Sequence, residues 1–157
     1  MAILNIIKLT DEDHQILRTP ARPIDTITPR IITLLEDMAE TMNHANGVGL
    51  AAPQVGVMRR AIVALEIRED EDKLHELINP QIIKSSGKDI DSEGCLSIPH
   101  KRGDVERPTK IVVRALDRHG NEFELVARDF FARVLCHEID HLNGILTDDH
   151  TMLYIED

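Results

Sequence analysis

Cys136-His137-Glu138-Ile139-Asp140-His141 is the stretch whose residue types and spacing point to chemistry. Read as helix, it sets His137 and His141 about 40° apart around the axis, one above the other on one face. Two imidazoles so placed reach one metal ion. Glu138 lies beside them, positioned to exchange a proton with water activated there, so the run matches the H-E-x-x-H metallohydrolase pattern. The plain alternative is a polar helix face with two solvated histidines. A catalytic zinc-type site needs a third protein ligand and one open position. A third histidine six residues further on is excluded, because Thr147 stands there. Beyond His141 the sequence offers little room for a ligating carboxylate on another helix, so the third ligand is expected upstream. Cys95 is the candidate. A thiolate binds zinc or iron(II) well, and a Cys-His-His set leaves the fourth tetrahedral position to water. The alternative for Cys95 is a buried free thiol.

The elements that must position these groups follow from patterning. The 157 residues suggest one domain, residues 1–157, with a short tail after about 146. Residues 5–25 read as an extended surface arm, with a short turn at Thr10-Asp11-Glu12-Asp13 stopped by Pro20 and Pro23. Thr28-Pro29 then opens a helix, whose apolar face is Ile31, Leu34, Leu35, Met38 and Met42 and whose end lies near Asn46-Gly47. Ala61 to Ile67 reads as a strand. Leu77 to Ile83 reads as a strand region broken at Pro80, and Gly87 to Asp91 as a turn. Lys110–Leu116 and Glu122–Ala127 read as a hairpin joined by Asp117 to Asn121. Asp129 is expected to cap the histidine-bearing helix and Gly144 to close it. Cys136 points about 100° away from His137 around that helix and reads as a small buried hydrophobe. His14, His44, His75, His100, His119 and His150 fall in stretches expected to be loops or exposed, and none is expected to ligate.

Two thiols and no secretory signal suggest a reducing, cytoplasmic compartment, and no stretch is long and apolar enough to suggest a membrane partner. A formal net charge of -10 argues against a nucleic-acid partner. Gly47-Val48-Gly49-Leu50-Ala51-Ala52-Pro53-Gln54 is a tightly packed glycine loop. It lacks the lysine and Ser/Thr of a phosphate-binding P-loop, and Gln54 closes it with a neutral two-donor amide.

Three stretches taken together resemble the peptide deformylases: Gly47 through Gln54, Glu93-Gly94-Cys95-Leu96-Ser97, and His137-Glu138-Ile139-Asp140-His141. Their order and approximate spacing agree with that family, and weaker similarity runs from about Ile6 through Gly144. The resemblance implies an α+β fold in which antiparallel β-sheets wrap a central metal-binding helix. It implies removal of the formyl group from N-formylmethionyl nascent chains, with one divalent ion, Fe(II) natively and zinc, nickel or cobalt as substitutes. Cys95, His137 and His141 match the family's metal ligands and Glu138 its acid/base. Gln54 and the backbone N–H of Leu96 match its oxyanion donors. Val48 and Gly49 fall where its loop lines the substrate groove, and Arg102 and Arg107 match arginines of structural or substrate-orienting roles. Asp91 stands where many members carry an apolar residue, Asp129 where glycine is common, and Cys136 where glutamine is common.

Helix geometry adds a specificity expectation. Phe130 and Val134 lie seven and three residues before His137 and so share its side, where they would form an apolar pocket for an unbranched methionine side chain. The alternative is that both are plain core. Arg133 falls on the same side, with no partner evident. Two other functions remain open on this reading. One is a short zinc protease acting on internal peptide bonds, disfavoured by Cys95 and Thr147. The other is a metal-binding interaction module, disfavoured by Glu138 and Gln54, which are not needed merely to hold an ion. After Arg133 no lysine or arginine occurs through Asp157, whereas RNA phosphates demand them. Ribosome docking through the C-terminus is therefore not expected.

Overall fold

In a computed structural model, described for residues 2–156, the elements run in chain order. They are α1 (Pro29–His44), β1 (Gly49–Ala51), β2 (Ala61–Glu66), β3 (Lys73–Ser86), β4 (Asp89–Cys95), β5 (Ile98–Arg107), β6 (Lys110–Leu116), β7 (Glu122–Arg128), α2 (Asp129–Leu142) and β8 (Tyr154–Ile155). Among the described residues two antiparallel sheets form, one in the order β1-β2-β3-β6-β7 and one in the order β4-β5-β8. The fold class is α+β, as expected.

Strand β2 shows why the larger sheet is covered on both faces. Ile62 and Ala64 pack with Leu135, Ile139 and Leu142 of α2, while Ala61 and Val63 pack with Leu35, Met38 and Met42 of α1. A strand buried on both sides loses the polar alternation of a surface strand, and Ala61 through Ala64 are all fully buried. On its other side α2 meets the smaller sheet, through polar contacts from Arg133, His137 and Asp140 to β4 and β5. The histidine helix thus lies between the two sheets, and Phe131 through Ile139 are buried without a break.

Several local expectations are corrected. The N-terminal segment is not a surface arm, since Ile7, Leu17, Ala21 and Ile24 are buried. Its one-turn helix runs His14–Arg18 rather than starting at Thr10. Ile7 and Leu17 join Ile98 and Leu146 in a third apolar cluster, which ties the two ends of the chain to the smaller sheet. Pro80 does not break β3; it sits in a bulge between Ile78 and Gln81. There Asn79 adopts φ 51° and its side chain bonds both the N–H and the carbonyl of Ile24. The expected turn at Gly87–Asp91 ends early, because β4 already begins at Asp89. Asp129 does not cap α2 through its side chain. It starts the helix in the left-handed region, at φ 53°, with its N–H donated to Thr109 O at 2.8 Å. Gly144 does follow the helix end, at φ 74°, and a Cβ there would lie 2.6 Å from Arg18 O.

Candidate metal centre

The centre is assembled from α2 and the β4–β5 turn. His137 and His141, one helical turn apart, bring their Nε2 atoms within 3.3 Å of each other. Cys95, at the end of β4, places Sγ 3.3 Å from His141 Nε2. The three ligand atoms all lie within 4.8 Å of one another. Separations of this size are those of neighbouring corners around an ion bonded at about 2.0–2.3 Å. The donor set of one thiolate and two neutral imidazoles suits Fe(II) and Zn(II) alike. No other histidine joins a comparable group among the described residues. Burial holds the His141 imidazole below its usual pKa, which keeps it neutral and able to ligate.

Glu93 holds this arrangement, and sequence reasoning assigned it no role. Its Oε1 accepts His137 Nδ1–H at 3.0 Å and Arg107 Nη2–H at 3.0 Å, and its Oε2 accepts Arg107 Nε–H and Arg133 Nη1–H at 2.8 Å each. Donating Nδ1–H to a carboxylate leaves His137 Nε2 with its lone pair toward the ligand cluster. Burial alone would raise the Glu93 carboxyl, but the bonds from Arg107 and His137 outweigh it and hold the group well below the ordinary carboxylate range. The two arginines explain how a carboxylate that is 5% exposed stays ionised. Arg133, unplaced from sequence, also reaches Val105 O at 2.7 Å and Asp89 O at 2.9 Å. No strand pattern marked Glu93, because Asp89–Cys95 lacks the apolar alternation by which a strand is read from sequence.

Glu138 is 4% exposed and its Oε1 has no hydrogen-bond partner among the described residues. Burial pushes its carboxyl up to about 7. Gly49 makes room for it, because a Cβ at that position would lie 2.5 Å from Glu138 Oε2. The Gln54 side chain is oriented by its own loop. Its Oε1 accepts Ala51 N–H at 3.0 Å, so its amide nitrogen faces Ser97 Oγ at 3.0 Å and Cys95 Sγ at 3.8 Å. Ser97, fully buried, is a second residue that sequence reasoning left without a part. Cys136 is 5% exposed, and burial pushes its thiol up to about 11, in keeping with a small hydrophobe.

These groups open into a cleft of about 460 Å³. Val48, Gly49, Gln54, Leu96, Phe130 and Val134 all line it, together with Cys95, His137 and Glu138. Every residue expected at the site therefore lines the cleft except His141, which is 1% exposed yet lies 3.3 Å from both Cys95 Sγ and His137 Nε2. Phe130 and Val134 differ in setting: Val134 is buried and also touches the core, while Phe130 is 53% exposed at the rim. Arg102 lines the cleft and bonds Ser92 Oγ at 2.6 Å, whereas Arg107 is buried in the Glu93 network. His75, expected in an exposed stretch, is 8% exposed on β3, bonded to Glu66 Oε1 at 2.9 Å and 5.0 Å from the Phe131 ring.

Comparison with known proteins finds matches in both sequence and fold. The sequence profile of the family described as "Polypeptide deformylase" matches residues 3–153. A peptide deformylase of Caldanaerobacter subterraneus is 51% identical over 156 residues, covering 99% of this chain and 94% of its own. The crystal structure of a peptide deformylase from Ehrlichia chaffeensis in complex with actinonin superposes with a TM-score of 0.91 at 37% identity, over 97% of this chain and 90% of that one. A Met-Ala-Ser-bound peptide deformylase from Acinetobacter baumannii gives 0.87 at 34% identity, over 95% and 98%.

Proposed function

This chain belongs to the peptide deformylase family, metalloenzymes that remove the N-terminal formyl group from nascent polypeptides, and from that premise we propose which of its residues do the work. Cys95, His137 and His141 hold one divalent ion, Fe(II) natively, with zinc, nickel or cobalt able to replace it. The observation that carries this reading is the convergence of three ligand atoms beside the unpartnered Glu138 Oε1 at the base of the cleft. When bound, the ion supplies a Lewis acid and a lowered pKa for water.

Glu138 takes the proton of the attacking water and returns it to the departing amine, so formate and a free N-terminus result. A carboxyl pushed up to about 7 by burial suits both transfers near neutral pH. The Gln54 amide and the Leu96 backbone N–H meet the oxygen on which negative charge develops. The Gln54 bond to Ala51 N–H fixes the direction of that amide before substrate arrives. Val48, Gly49, Phe130 and Val134 receive the start of the peptide, with the methionine side chain against the apolar Val134 and Phe130.

Residues 1–157 act as a single catalytic domain with a short tail after about 146. The substrate is an N-formylmethionyl peptide, and the working compartment is the reducing cytoplasm, where the Cys95 thiol persists. Among the described residues no helix is long and apolar enough to cross a membrane. Nucleic acid, membrane and C-terminal ribosome docking are not expected partners.

The test is anaerobic purification, metal analysis and a formate-release assay on one sample, with formyl-Met-Ala-Ser against the unblocked peptide. Formate release in proportion to bound metal is expected, with the unblocked peptide left intact. Cleavage of an internal bond, or full metal occupancy without formate, would overturn the reading.

A further inference from the structure

The network around Glu93 reaches the surface. Arg107 Nη1–H donates to Asp140 Oδ2 at 2.7 Å, and the same oxygen accepts Nε2–H of His150 at 2.8 Å. An unbroken hydrogen-bonded chain therefore runs from His150 through Asp140, Arg107 and Glu93 to Nδ1 of His137. We propose that His150 is a positioning residue for the metal-binding His137, acting through Asp140, Arg107 and Glu93. This rests on the reading of Cys95, His137 and His141 as the ligand set.

The argument is geometric. Asp140 and His150 are the partly exposed members of the chain, with side chains 20% and 32% accessible, while Arg107 and Glu93 are buried. A carboxylate at that depth can turn toward water. Two donors converging on one of its oxygens hold it in place. Arg107 is a planar fork, with Nε and Nη2 on Glu93 and Nη1 on Asp140. Fixing Asp140 therefore fixes the guanidinium plane, and that plane sets the carboxylate that orients the His137 ring. His150 arrives with its backbone already placed. It follows the one-turn helix Thr147–Asp149 and its N–H donates to Thr147 O at 3.0 Å, bonds internal to the segment, while Arg18 meets Asp148 at 2.7 Å and Asp149 at 3.0 Å from outside it.

Those contacts supply the control. Arg18 pairs with the same segment without touching the relay, so Arg18→Ala removes exposed ion pairs and leaves the backbone bond from His150 N–H to Thr147 O that places the imidazole beside Asp140. The full-length chain is loaded with Co(II) as wild type, His150→Leu, His150→Gln and Arg18→Ala. The visible spectrum and the rate of cobalt release to a chelator are measured, with melting temperatures of the metal-free proteins alongside. His150→Leu is expected to shift the cobalt bands and to speed release about 3- to 10-fold, below the full effect of losing a group that bonds a ligand directly. His150→Gln, which keeps an N–H donor within reach, is expected to restore both. Arg18→Ala is expected to lower the melting temperature while leaving spectrum and release rate unchanged. Spectrum and release unaltered in His150→Leu, or altered equally in Arg18→Ala, would overturn the relay alone. A wild-type chain that takes up no cobalt would overturn the ligand set and the relay with it.

Discussion

Glu138 and Cys95 sit side by side in the cleft and are separable by experiment, because one moves protons and the other binds. Glu138→Ala is expected to keep metal stoichiometry and to lose at least about 10²-fold in kcat, measured by formate release beside metal analysis. Cys95→Ala is expected to lose tight metal binding together with activity, read as metal content after dialysis. His75 offers a pH prediction away from the centre. Burial lowers its pKa below the usual 6.5, and the Glu66 bond opposes this only in part. Below pH 6.5 the unfolded chain therefore binds a proton that the folded chain refuses, so this residue makes stability fall as pH drops through that window. Urea unfolding at pH 7.5 and 5.5 is expected to show a smaller loss for His75→Gln than for wild type. An equal or larger loss in the variant would remove His75 as a source of acid sensitivity.

Helix α2 is the element that carries the chemistry, and its entry is strained. Asp129 turns the chain from β7 into the helix at φ 53°, a conformation open to glycine and tolerated by aspartate through its short polar side chain. Asp129→Gly trades relief of that strain against the loss of a negative charge in the first helical turn, so a change within about 0.5 kcal/mol is expected. Asp129→Val puts a β-branched side chain in the left-handed region and is expected to cost about 1–2 kcal/mol. Chemical denaturation of the three proteins decides it. Equal stability of the valine variant would mean that the turn relaxes to another conformation. Opposite α2, strand β4 contributes both Glu93 and Cys95, so the sheet–helix contact places both a candidate ligand and the group that orients one.

Taken whole, the molecule carries its charge unevenly, and the arginines of its basic stretch are paired locally. Of the cations between Lys101 and Arg118, Arg107 is buried on Glu93 and Asp140, Arg114 meets Glu122 and Glu124, and Arg118 meets Glu36 and Glu76. A cation already paired with a carboxylate is a poor ligand for phosphate. The segment after α2 is acidic and docked, with β8 paired to β5 at Lys101 and Arg102 and Glu156 lining the cleft. The full-length protein is therefore expected not to co-sediment with ribosomes at low or moderate salt. Pelleting that weakens as salt rises would show an electrostatic contact and overturn this expectation.

The sequence by itself determined the parts of the site whose geometry is local. The spacing of His137 and His141 places two ligands on one helix face wherever that helix packs, because four residues are one turn. The Thr28-Pro29 helix start, the Ala61 strand and the hairpin around Asp117–Asn121 were legible for the same reason: each signal spans a few neighbouring residues. Strands β4 and β5 were not legible. Asp89 to Cys95 carries charges and a glycine where a strand pattern would show apolar alternation. Those polar side chains are explained by partners on α2, such as His137, 44 residues from Glu93 in the chain. Only the tertiary structure decided that Glu93, Arg107 and Arg133 form a buried charge network, that the N-terminal segment is core, and that the segment after α2 reaches Asp140 through His150. Contacts between residues so far apart in sequence leave no periodic trace. Their identity follows from which surfaces meet when α2 is enclosed between the two sheets.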